Sequence, residues 1–160
     1  MPQSQLDRTD VRMLDHLQRD ARISVVQLAQ RVSLTPTPCA RRLQKLEREG
    51  LIAGYVTLLD QARAGLPVNA FVEVKLVRER KDEAKLFEER IHNLPEVMEC
   101  YAMSGGYDYL LRVVSADLEQ YNRFLRDQLL EIASVDTVQT SFALERLIYR
   151  TSLPLTQLER

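Results

Sequence analysis

Two prolines two residues apart, Pro36 and Pro38, stand directly ahead of an amphipathic run in the stretch SLTPTPCARRLQKLEREGLIAGY, Ser33 to Tyr55. Proline inside a helix removes a hydrogen bond and clashes with the preceding turn, so such a pair either forbids a helix or marks its first turn. The second reading holds. The first N–H groups of a helix have no intrahelical acceptor, and the fixed φ of proline suits that turn, so Thr35 is the expected N-cap, with Pro36 and Pro38 as first and third helical residues. Beyond them Cys39, Leu43 and Leu46 recur at i, i+4 and i+7 and point inward, while Thr37, Arg41, Gln44, Lys45 and Arg48 gather on the opposite side. Gly50 tolerates the left-handed backbone that ends a helix, and LIAGYVTLL reads as a strand after it.

Two similar start signals precede this one. Asp7 with Asp10 three residues on, bracketed by Leu6 and Val11 at staple spacing, opens a helix to about Asp20. Ser24 and Gln27 form a capping-box pair between Ile23 and Leu28, so a second, short helix covers about Val25 to Val32. Two short helices across a tight turn, the later one polar and basic outside, are the elements of a helix-turn-helix, whose second helix enters the DNA major groove. The charge distribution agrees. Residues 1–55 carry nine Lys/Arg against six Asp/Glu, a net of +3 that leaves −4 for the remainder of a chain with formal net charge −1. Arg41 and Gln44 are placed nearest base edges and Arg42, Lys45 and Arg48 toward phosphates, with Ser24, Thr35 and Thr37 completing the candidate contacts to double-stranded DNA. A merely solvated charged face is the competing reading.

From Ala70 the periodicity changes. Val72, Val74 and Leu76 alternate with Phe71, Glu73 and Lys75 as in a half-buried strand. A helix follows at about Glu83 to His92 with Phe87 and Ile91 inward, then strands near Val97 to Met103 and Tyr107 to Val114 joined through Ser104, Gly105 and Gly106, a hairpin signal. Asp117 caps a helix whose Leu118, Tyr121, Leu125, Leu129 and Ile132 form one stripe, and a last strand spans about Val135 to Leu144. The order βαββαβ is that of a ferredoxin-like sandwich, so the chain is read as α+β. Turn chemistry alone accounts for the hairpin glycines, yet exposed N–H groups there and the Asp108 carboxylate are suited to the two ends of a zwitterion.

What the sequence lacks narrows the function. In 160 residues the longest apolar runs are a handful, and MPQSQLDRTD has neither the basic nor the apolar region of a signal peptide, so no membrane association is expected and a cytoplasmic location is. Cys39 and Cys100 stand far apart without a C-x-x-C pairing, and His16 and His92 add no ligand cluster, so no metal, cofactor or catalytic residue is expected. A four-stranded βαββαβ sheet is also the architecture of an RNA-binding module, but the strands AFVEVKLV, VMECYAM and YDYLLRVV lack its stacking-aromatic motif. A ferredoxin-like small-molecule-binding dimer, or an enzyme, without DNA binding is the alternative function.

The run LTPTPCARRLQKLEREGLIAGY resembles the signature LSPTPCxRRxxxLExxGxIxGY of the Lrp/AsnC, or feast/famine, transcription regulators. It departs from that pattern in the turn, where Ser33 replaces a glycine, and at the cap, where Thr35 replaces serine. The second half, with its hairpin SGGYDYLLRV and closing strand, resembles the effector-binding and assembly domain of the same family, often with a polar or acidic residue at the position of Gly106. The resemblance implies a winged-type helix-turn-helix DNA-binding domain over 1–51, a linker strand and loop over 52–69, and an effector-binding and oligomerisation domain over 70–160. It also implies dimers formed through the linker strand and the sandwich, rings of eight chains, and an amino acid effector bound at a dimer–dimer interface near the hairpin. The implied effector residues are Met103, Ser104, Gly105, Gly106, Tyr107 and Asp108, with Thr140 and Ser141 from the last strand.

Overall fold

The computed structural model describes residues 6–77 and 81–158. Helix α1, Arg8–Arg19, starts on a reciprocal box: Asp7 Oδ1 accepts from the Asp10 N–H at 2.9 Å, and Asp10 Oδ2 accepts from the Asp7 N–H at 3.2 Å. Helix α2, Val25–Arg31, starts on Ser24, whose hydroxyl accepts from the Gln27 N–H at 3.2 Å. Helix α3, Pro36–Arg48, begins where the prolines place it, with Thr35 extended at the N-cap position. The Thr35 hydroxyl nevertheless makes no capping hydrogen bond. An N-cap side chain accepts from the second or third helical N–H, and the third residue is Pro38, which has none. Only the Thr37 N–H is left to a capping hydroxyl, and the fixed φ of the two prolines supports the first turn in its place.

These three helices close over Met13, Leu17, Leu28, Ala29, Val32 and Cys39, with Leu34, Leu43 and Ile52 packed against them. Burying a large aliphatic side chain contributes about 1.5–3 kcal/mol, so a handful of such residues holds the unit together. The α2–α3 turn has one strained point. Ser33 sits at φ 60°, the only positive φ at a non-glycine among the described residues, where the signature has glycine. A side chain there costs about 1–2 kcal/mol, of which the extra freedom of an unfolded glycine returns about half. Ser33→Gly is therefore expected to stabilise this unit by about 0.5–1 kcal/mol, read as a higher melting temperature, whereas Ser33→Val lowers it.

The second unit is a four-stranded antiparallel sheet ordered β2-β3-β1-β4, built from β1 (Val68–Leu76), β2 (Val97–Ala102), β3 (Tyr109–Ser115) and β4 (Val135–Phe142). Its helices, α4 (Lys81–His92) and α5 (Leu118–Phe124), cover one face, where Ala70, Val72, Val74, Leu111 and Val113 meet Phe87, Ile91, Tyr121 and Phe124. The βαββαβ order is thus present, with β1 starting at Val68, inside the expected linker. Strand β3 starts two residues later than the periodicity suggested, and ahead of it the Asp108 N–H donates to the Val74 carbonyl at the turn.

Two expectations are corrected. LIAGYVTLL forms no strand: residues 53–60 carry no regular structure, and Val56 and Leu59 are 79% and 76% exposed. A strand exists only against a partner, and this segment finds none among the described residues. Leu118, assigned to the inward stripe, is 61% exposed, while Phe124 is buried. Leu118 is the first residue after the Asp117 cap, and α5 continues as a π-helical turn, Leu125–Leu129, whose extra residue per turn keeps Leu129 and Ile132 turned inward.

The chain divides into one unit of residues 1–57 with 147–160 and another of 58–146. The C-terminal tail, placed by sequence with the sandwich, thus groups with the helix-turn-helix. Gln18 of α1 holds it there through a pair of hydrogen bonds to the backbone of Leu153.

Candidate nucleic-acid interface and effector pocket

The outer face of α3 follows from the same 3.6-residue period that buries Cys39 and Leu46. Thr37, Arg41, Gln44 and Arg48 are exposed on it. Among the described residues Arg41, Gln44 and Arg48 make no side-chain hydrogen bond or ion pair, so two guanidinium forks and an amide project unengaged from one stripe. Such groups can approach base edges and phosphates without first breaking a protein contact. Lys45 lies to one side, half-buried, its ammonium 4.0 Å from Glu49. Ser24 is exposed at the start of α2, its hydroxyl already serving the capping box, and Thr35 is exposed at the start of α3.

Arg42 is elsewhere. Its Nη1 donates to Asp7 Oδ2 at 2.6 Å and to Asp10 Oδ1 at 2.8 Å, joining α3 to the first turn of α1. The Asp10 side chain is only 7% exposed, so this cation neutralises a buried carboxylate. Partial burial pushes the Asp7 carboxyl up, but the Asp10 N–H and the Arg42 guanidinium outweigh it and hold Asp7 below the ordinary range. Hydrogen bonds to Asp10 and then Asp7 push Arg42 up. The expectation that Arg42 serves phosphates is thus at odds with a guanidinium committed inside the fold. A partner 32 residues away in sequence gives no periodic signal.

The hairpin residues Met103, Ser104, Gly105 and Gly106 are exposed, and Tyr107 and Asp108 are half-buried. Gly105 has φ 147°, a backbone that favours glycine, whereas a side chain at Gly106 would meet open space. Asp108 fixes the turn at three points. Its N–H donates to the Val74 carbonyl at 2.9 Å, its carbonyl accepts from the Met103 N–H at 2.8 Å, and its Oδ2 accepts from the Leu76 N–H at 2.7 Å. Beside it lies a cavity of about 310 Å³ lined by Leu76, Val77, Glu83, Ala84, Ala102, Asp108 and Tyr109. The Tyr109 hydroxyl is pushed up to about 12 by burial and by its 2.7 Å hydrogen bond to Glu88, so it stays a neutral donor.

Of the eight expected effector residues, only Asp108 borders that cavity. Thr140 and Ser141 are not brought to it. Thr140 pairs with Val72 on the helix-covered face and shares a 2.5 Å hydrogen bond with Tyr121, while Ser141, the next residue, faces the other way. Strand β1 separates both from the hairpin. Glu83 was not anticipated, because it falls in the first turn of α4 and its neighbours give no hint of a cavity.

No helix among the described residues is long and apolar enough to cross a membrane, and none of their His, Cys, Asp and Glu side chains cluster as a metal site. Residues 69–153 match the Lrp/AsnC ligand binding domain, and residues 6–53 match a winged helix-turn-helix DNA-binding domain. The Bkd operon transcriptional regulator of Pseudomonas aeruginosa is 41% identical over 152 residues, 95% of this chain and 99% of that protein. The DNA-binding transcriptional activator DecR of Escherichia coli is 39% identical over 94% of this chain and 99% of its own length. In three dimensions the chain is similar to a transcriptional regulator from Neisseria meningitidis solved in complex with L-Met, with a TM-score of 0.92 and 37% identity over 96% of this chain and 99% of the other.

Proposed function

The chain belongs to the Lrp/AsnC family of transcriptional regulators, and from that premise we propose that it reads double-stranded DNA with α3 and answers to an amino acid held beside Asp108. The observation that carries the DNA reading is the stripe Thr37, Arg41, Gln44 and Arg48, exposed and unengaged on a helix whose other side is core. Arg41 and Gln44 serve base edges; Arg48 and Lys45 serve phosphates. The work is binding rather than turnover, and its place is the cytoplasm. The L-Met complex of the Neisseria regulator supports a small amino acid as effector.

The functional unit is a homodimer that assembles further into an octamer. A single short helix reads only a few base pairs, and a two-fold pair reads two half-sites about one helical turn apart. Two apolar surfaces support the pairing. Val56, Leu58 and Leu59 are exposed in the segment that lacks a strand partner, and Phe71 and Tyr101 are exposed on the sheet face opposite the helices of this unit.

The test is a mobility-shift series on duplexes selected from a random library. Arg41→Ala is expected to cost about 1–3 kcal/mol and to relax preference at one base pair. Lys45→Ala weakens all sequences alike and lowers the salt slope by about 1. Unchanged affinity in both variants would remove α3 from the groove, and a protected monomeric half-site would contradict the dimer.

A further inference from the structure

Two of the first three residues of α3 are prolines, and they empty its N-terminus of donors. Helices that grip phosphate do so with the unpaired N–H groups of the first turn. Pro36 and Pro38 have none, and the Cys39 N–H already donates to the Thr35 carbonyl at 3.3 Å, so of these residues only Thr37 has an N–H to offer. The surface at that end is apolar instead. Thr35, Pro36 and Thr37 are exposed there, a pyrrolidine ring between two side chains that each carry a methyl group. Neither threonine hydroxyl has a hydrogen-bond partner among the described residues. Thr37 also opens the stripe that Arg41, Gln44 and Arg48 continue at i+4, i+7 and i+11, within the segment that matches a winged helix-turn-helix DNA-binding domain.

We infer that Thr37 reads the methyl group of a thymine, so that α3 enters the groove on an apolar, donor-poor end and the half-site carries a thymine there. The N-terminal residues of a recognition helix are those that meet base edges, and a threonine methyl against the C5 methyl of thymine is one of the direct contacts of the major groove. Two other uses fit this end less well. A phosphate is held by several or by charged donors, which the prolines remove and a lone hydroxyl does not replace. A base edge read through paired hydrogen bonds is served by Arg41 and Gln44, whose forks present two groups each. The branched Thr37 side chain is stiff at χ1, so little freedom is lost when its methyl group is fixed against a base. From Thr37 to Gln44 the helix rises about 10 Å, the height of about three base pairs, which places the thymine within about that distance of the base pairs met by Arg41 and Gln44.

This inference rests on the reading of α3 as the recognition helix, and the test tells the two apart. The full-length protein is titrated on the selected duplex with each thymine of a half-site replaced in turn by deoxyuridine, which deletes the C5 methyl and nothing else. Wild type is expected to lose about fourfold in affinity at one thymine, the worth of one methyl group removed from water, within about three base pairs of the position where Arg41→Ala relaxes preference. Thr37→Val keeps an outward methyl group and is expected to retain both the affinity and the sensitivity to uracil. Thr37→Ser keeps the hydroxyl alone; it should bind the thymine duplex about fourfold more weakly and no longer distinguish thymine from uracil at that position. Both substitutions lie on the exposed surface, and melting temperatures equal to that of wild type check that the fold is unchanged. Equal affinity of wild type for every uracil duplex would overturn the inference, as would a selected half-site without thymine at that distance. So would full binding by Thr37→Ser with loss in Thr37→Val, which would make the hydroxyl the contact. Unchanged affinity in Arg41→Ala and Lys45→Ala would instead overturn the recognition-helix reading itself.

Discussion

Replacing Arg42 with methionine is expected to destabilise the helix-turn-helix unit by about 2–3 kcal/mol, while replacing Arg41 changes its stability by less than about 0.5 kcal/mol. The two arginines are adjacent and chemically identical, so the difference comes entirely from what their guanidinium groups face. Removing Arg42 leaves Asp10, 7% exposed at the side chain, with a carboxylate whose remaining bond is to the Asp7 N–H. Breaking one side of a buried ion pair strands the other charge, and that desolvation is the main part of the cost. The bond to Asp7, whose side chain is half exposed, adds little because solvent screens it. In a unit this small such a loss moves the melting temperature by roughly 10 °C or more. DNA binding by Arg42→Met should therefore fail with temperature, as folding fails, and recover on cooling. Arg41→Met should bind poorly at every temperature while melting as wild type does. Equal melting temperatures in the two variants would return Arg42 to the list of phosphate contacts.

The pH dependence of that difference has a definite sign. The folded Asp7 carboxyl titrates below its ordinary value of 3.8, so its contribution is complete above that value and disappears as pH falls through the folded one. The Asp7 share of the gap between wild type and Arg42→Met, the smaller share, should be complete above pH 3.8 and narrow as pH falls below it. Denaturant melts at pH 7 and pH 3 measure it.

The helix starts were legible in the sequence because each is written within four residues: Asp7 with Asp10, Ser24 with Gln27, Pro36 with Pro38. The same holds for β1, whose period of two survives in Ala70, Val72, Val74 and Leu76. What escaped depends on distant partners. Nothing near Arg42 announces Asp7 and Asp10, and nothing in the last dozen residues announces Gln18, 135 residues away. Residues 51–59 have the apolar content of a strand but no second strand among the described residues to pair with, so local pattern and structure part there. Thr140 and Ser141 are neighbours on a strand, so a period of two already implies that their side chains point to opposite faces of the sheet.

Asp108→Asn is expected to weaken effector binding by about 10- to 100-fold with little change in melting temperature, whereas Asp108→Ala should lose both binding and stability. The carboxylate has two tasks. Oδ2 accepts from the Leu76 N–H at 2.7 Å and so holds the hairpin to the end of β1, and the same side chain borders the cavity with Glu83. Asparagine retains an oxygen for Leu76 but no charge for an ammonium, so it removes a charge-assisted hydrogen bond worth about 1.5–3 kcal/mol without orphaning the backbone donor. Alanine orphans that donor as well, at about 1–3 kcal/mol. Calorimetry of both variants against the amino acid identified by a thermal-shift screen, starting with L-Met, separates ligand holding from turn holding. Normal affinity in a folded Asp108→Asn protein would remove Asp108 from the site. Because Asp108 lies more than fifty residues beyond α3 and in the other unit, a ligand held there would be expected to alter DNA affinity by favouring one assembly state over another. Light scattering with and without the amino acid should therefore change in wild type and stay constant in Asp108→Asn, and an effector that bound without moving either assembly or DNA affinity would defeat the mechanism.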